Sequence, residues 1–137
     1  MILKLTTAIR NAMAQVIKDA IDAGSGAGTM DFYSGTVFPD TSATITDQVL
    51  LGTVVFSDPC GSISGGVLTF GSVTQDSAAD ASGTATCCVL RDSTGAVVAV
   101  GDVTNNAGSG FVKINTTTIA AGGPIQVSSG TLTMPGG

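Results

Sequence analysis

The sequence predicts a mainly β fold, a β-sandwich or barrel-like module of about seven short strands with one N-terminal amphipathic α-helix. Three observations predict it. Helical periodicity is confined to Thr7–Gly24. Past that stretch, short β-rich runs alternate with Gly, Asp, Ser and Pro turns at a spacing of roughly 8–12 residues, as in all-β folds. Thr84–Val100 reads as a β-hairpin, two β-rich runs around Asp92-Ser93-Thr94-Gly95 with glycine where a positive φ is needed.

Met1–Leu5, MILKL, is apolar and alternates weakly, as an arm that pairs with a sheet edge or crosses to a neighbour would. In the helix, Ile9, Met13, Val16, Ile17, Ala20 and Ile21 recur at three- and four-residue spacing and define one face. Arg10, Asn11, Gln15, Lys18, Asp19 and Asp22 fall on the other side. Thr7 is the expected N-cap, and Gly24 the expected left-handed stop. Such a face lies either on the chain's own sheet or on another protein. The following GSGAG is a flexible joint, so residues 1–28 form an arm, helix and Gly-rich joint ahead of a β-sandwich module at 29–137.

Thr29–Ser34 is the first strand, with Met30 and Phe32 sharing a face. Gly35–Asp47 is a Thr- and Ser-rich surface loop. Gln48–Ser57 is the strongest strand, and its apolar residues on both faces predict cover from two sides. Val67–Thr74 and Phe111–Asn115 follow as strands, separated by small-residue loops at 75–83 and 105–110. In the last strand, Ile125–Met134, the apolar parity changes around Ser129-Gly130, which predicts a β-bulge there.

At 137 residues the chain is long enough for one buried core. Its charged fraction is only 11%, far below the roughly 25% of ordinary soluble domains. A small-residue surface so poor in charge suits a protein packed against copies or neighbours. A net charge of −5 with five scattered basic residues argues against nucleic acid as a partner. No run approaches the roughly 18 apolar residues of a membrane span. Lys4, Arg10 and Lys18 interrupt any signal-like run, so synthesis and folding in a cytoplasm is expected.

There is no His and no Glu, which removes Ser-His-Asp and Cys-His catalysis and His-based metal sites. The ten aspartates fall mostly in turns. Asp76 and Asp80 lack the calcium-loop pattern, and GSGAG follows a helix instead of preceding one, so it is no phosphate cradle. Cys60, Cys87 and Cys88 form no CxxC pair and read as small buried residues, Cys87 and Cys88 pointing to opposite faces of a strand. No catalytic, cofactor or metal residue is expected.

The block order TTAIRNAMAQVIKDAIDAGSGAGTMDFYSGT, LLGTVVFSDP, GDVTNNAGSGFVKINTTTIAAGG and VSSGTLTMP resembles small structural virion proteins of tailed bacteriophages, over about Leu5–Pro135. The resemblance implies a non-enzymatic particle component and carries no enzyme residues over. The expectation is a capsid-associated decoration or cement subunit that bridges neighbouring capsid proteins. The alternatives are a head–tail, neck or tail accessory protein (a fibre base) and a receptor- or glycan-binding module. The expected partners are the major capsid protein or head–tail and tail proteins, with homo-oligomerisation, in a virion assembled in the bacterial cytoplasm. Ile2, Leu3, Leu5, Ile9, Met13, Val16, Ile17 and Ile21 are the expected assembly contacts.

Overall fold

The computed structural model describes residues 2–136; Met1 and Gly137, the outer ends of the expected arm and module, lie outside the described residues. The fold is mainly β, with one N-terminal helix, α1 (Thr7–Ile21). Eight strands form one curled sheet, a half-barrel. They are β1 (Thr29–Tyr33), β2 (Leu50–Val55), β3 (Gly61–Ser64), β4 (Val67–Phe70), β6 (Cys87–Arg91), β7 (Val97–Asn105), β8 (Val112–Ile114) and β10 (Val127–Thr133). The spatial order is β2-β1-β6-β7-β8-β10-β4-β3. β5 (Gly83–Thr84) and β9 (Thr118–Ile119) pair separately.

The pairings are antiparallel except β7 with β8, which run parallel, Val103 opposite Val112 and Asn105 opposite Ile114. Parallel neighbours usually need a crossover of a dozen residues or more. Here the 106–111 loop doubles back along β7 instead. Gly110 N–H donates to Thr104 Oγ1 at 3.0 Å and Phe111 N–H to Asp102 Oδ1 at 2.8 Å. The path needs glycine, since a Cβ at Gly108 would stand 2.5 Å from Thr104 Cβ.

The concave face carries the main core, built on Met30, Phe32, Val54, Leu68, Leu90 and Ile114. Helix α1 adds Ala14 and Ile21 to the same cluster, with Met13 and Ile17 packed against it. Of the two placements open to the helix, it takes the one on its own sheet. Its docking face is rotated from the one its apolar spacing predicts. Ile9 and Val16 are 51% and 70% exposed. Three residues expected outside turn toward the body. Arg10 donates through Nε and Nη2 to Met134 O at 3.3 and 3.1 Å, Asn11 Oδ1 accepts from Gly66 N–H at 2.7 Å, and Asp22 Oδ1 accepts from Cys60 N–H at 2.8 Å. The physical reason is that backbone groups around the β3–β4 hairpin and after β10 lack ladder partners, and buried polar groups must be paired.

The cap also shifts by one residue. Thr6, with extended backbone, is the N-cap, its Oγ1 accepting from Ile9 N–H at 3.2 Å, whereas Thr7 is already helical. Gly24 takes the expected positive φ, +93°. The joint after it is not loose. Gly28 is buried, and a Cβ there would meet Arg91 O at 2.6 Å and Ile21 O at 2.7 Å.

β2 departs from its expected cover on two sides. It ends the sheet order, and Val49, Leu50 and Val55 are 51%, 38% and 38% exposed. A bulge opposite Phe32 and Tyr33 lets Leu51 and Gly52 both turn inward. Segment 74–80 satisfies the outer side of β2. Val55 and Thr74 exchange backbone bonds of 3.2 and 2.8 Å, Thr53 N–H donates to Asp76 Oδ2 at 3.0 Å, and Asp80 N–H donates to Leu51 O at 2.7 Å. Asp76 and Ile125 exchange backbone bonds too, so this segment links β2 to the residues just before β10. An edge covered in this way is protected from pairing with other chains.

Two expectations are met closely. Gly95 closes the β6–β7 hairpin at φ +91°, with Asp92 Oδ1 accepting from Thr94 and Ala96 N–H at 2.8 and 3.0 Å. The β10 register shifts between Val127 and Ser129, so the expected bulge is present, just ahead of the Ser129-Gly130 position that the parity change indicated.

Candidate assembly surface

The eight expected assembly contacts divide between the core and the surface. Ile21 is buried, and Met13 and Ile17 pack against the core, so these three hold the helix to its own sheet. Leu5 is half-buried. Its N–H donates to Gly136 O at 2.9 Å, and its side chain lies where a Cβ on Gly136 would be, 2.9 Å from Leu5 Cγ. Ile2, Leu3, Ile9 and Val16 stay outside, Ile2 at 90% and Leu3 at 58%. The exposed set therefore comprises an arm, Ile2–Lys4, and Ile9 and Val16 on the outward side of α1. Lys4 is exposed and has no ion pair among the described residues.

A second surface, read from sequence only as a loop, is built by residues 35–48 between β1 and β2. Its base is closed by Thr36, which donates from its N–H and Oγ1 to Asp47 Oδ2 at 3.1 and 2.8 Å. Gln48 is a buried polar side chain bonded to Thr46 N–H through Oε1 at 2.8 Å and to Thr36 O through Nε2. Phe38 folds back over the convex face of the sheet and joins Tyr33, Cys87 and Val89 in a small second cluster. With that anchor the loop encloses a groove of about 310 Å³, lined by Val37, Pro39, Asp40, Thr44 and Gln48 among others. Val37 and Ile45 in this loop are 44% and 53% exposed. The available signal in the sequence was Val37-Phe38 and Ile45, large apolar residues in an otherwise Thr- and Ser-rich segment.

Strand directions place the two surfaces at opposite ends of the sheet. β1 runs toward the groove. β6 is antiparallel to it, β7 and β8 run with β1, and β10 runs against them. The arm is tied at Gly136, past the far end of β10.

Comparison with family models, with curated proteins and with solved structures brings no match.

The electrostatics of the groove end are acidic. Asp40 and Asp47 are exposed, and hydrogen bonds from the Ser42 and Thr36 hydroxyls hold their carboxyls below the usual 3.8, so both are ionised at neutral pH. The ion pairs among the described residues lie elsewhere: Lys18 with Asp22 at 3.2 Å and Arg91 with Asp31 at 2.9 Å. No group of three or more Cys or Asp among the described residues is placed to hold a metal ion. Among the described residues no helix is long and apolar enough to cross a membrane. Cys87 and Cys88 are both buried on opposite faces of β6, in different clusters. Burial pushes the Cys60 thiol up to about 12, with Asp22 adding to the effect, and burial also pushes the Cys88 thiol up. Neither is an activated nucleophile.

Proposed function

We propose that this chain is a non-enzymatic structural subunit of a tailed-phage particle, in the first place a decoration or cement subunit on the capsid shell. One observation carries the reading. The core is filled by the sheet and by Ala14, Ile17 and Ile21, yet Ile2, Leu3, Ile9 and Val16 remain on the surface of a chain with little charge. Large apolar side chains left outside on so weakly charged a surface are read here as contacts with another protein. Repetition around a symmetric shell multiplies contacts that are individually weak. The sequence resemblance to small virion proteins supports the same assignment.

Quantitative mass spectrometry of intact particles tests it. Hundreds of copies per particle are expected for a shell subunit. A dozen or fewer moves the protein to the neck or tail, and absence from purified particles removes the virion reading altogether.

A further inference from the structure

We propose that residues Ile2–Lys4 of one copy dock into the 35–48 groove of a second copy, so that the subunits associate head to tail. This rests on the reading of the chain as an assembling subunit and names one of its partners as the chain itself. Leu3 and Ile2 lie against Val37 and Pro39, and Lys4 pairs with Asp40 at the groove wall.

Three observations support this contact. The first is charge. The arm carries a lysine without an ion-pair partner among the described residues, and the groove end carries the ionised Asp40 and Asp47. Opposite charges at the two surfaces favour this orientation and disfavour arm on arm or groove on groove. The second is shape. The groove, at about 310 Å³, lies at the lower end of the range for small-ligand sites. It therefore suits one or two side chains of an extended segment, not a helix. The third is position. Arm and groove lie at opposite ends of the sheet, so an arm tied at Gly136 serves a neighbour's groove and not its own. Each copy then offers one arm and one groove, a heterologous interface that closes into a ring or runs on as a chain.

Sedimentation velocity of the purified full chain tests the contact. Leu3 and Val37 are 58% and 44% exposed, so Leu3→Asp and Val37→Asp leave the fold intact while each spoils one half of the interface. The intact chain is expected to associate with rising concentration, and each variant alone to stay monomeric. Mixed in equal amounts, the two variants retain one good arm and one good groove between them. The mixture should form a heterodimer and stop there. Lys4→Glu should weaken association about fivefold, and adding Asp40→Lys to the same chain should restore it. An intact chain that stays monomeric up to millimolar concentration overturns the proposal, as does a mixture that grows past the dimer or a charge reversal that is not restored. A monomeric chain still present in many copies on particles would show that the arm engages a different virion protein, which defeats this contact and leaves the structural assignment standing.

Discussion

The ring of Phe38 stands edge-on to that of Tyr33, with centroids 5.2 Å apart and planes at 84°. This contact turns a long, hydroxyl-rich loop into a fixed wall. Its base is held by Asp47 and Gln48, but the loop has no ladder of its own, and Phe38 is its large buried apolar side chain. Phe38→Ala should therefore lower stability by about 3 kcal/mol, near the low end for a buried ring. Faster amide exchange at residues 36–46, with β6 and β7 still protected, is the expected pattern.

The helix supplies a paired test of inside against outside. Ile21→Asp places a charge without a partner in the main core and should cost about 3–5 kcal/mol. Val16→Asp, 70% exposed, should change the melting temperature by no more than a degree or two. Equal losses from the two substitutions would mean that the docked face is not the one described.

Gly65 and Gly66 form the β3–β4 turn with φ +60° and +78°. A Cβ at Gly65 meets open space, whereas at Gly66 it stands 2.6 Å from Arg10 Cζ. Gly65→Ala should cost about 1 kcal/mol of backbone strain. Gly66→Ala should cost more, because it also displaces Arg10 from Met134 O. Denaturant midpoints for the two variants give the comparison directly.

Stability should decline at both extremes of pH, for different groups. The carboxyls of Asp40, Asp47 and Asp92 are depressed below 3.8, chiefly by hydroxyl donors, Thr94 in the case of Asp92. Their contribution is present above that value and is lost as pH falls beneath it. The Cys60 thiol, raised from 9.0 to about 12, stabilises the folded state below 9.0 and loses that effect as pH rises through the interval. Urea midpoints should be flat from about pH 5 to 8 and fall on either side. A thiol reagent at pH 8 should leave all three buried cysteines unlabelled until the chain is unfolded.

Local chemistry was legible in the sequence. Periodicity gave α1 and the inward pair Met30 and Phe32, a change of parity located the β10 bulge, and Asp92 with Gly95 marked the hairpin. Each of these depends on neighbours a few residues apart, whose spacing a backbone of fixed repeat turns into a shared face. The mainly β class follows from the same signals, and so does the opposite facing of Cys87 and Cys88.

What only the tertiary structure decided depends on partners far apart in the chain. Asp22 meets Cys60 and Asn11 meets Gly66, and these pairings rotated the helix so that Ile9 and Val16 were left outside. Asp76 met Thr53, so a loop became the cover of the β2 edge. Phe38 met Tyr33, and a surface loop became a grooved wall. The apolar pattern states how many side chains want burial, but backbone groups left without a ladder partner choose which polar residues go in with them. That choice is made only when distant segments meet, because an unpaired buried N–H or C=O costs as much as the burial of an apolar side chain gains.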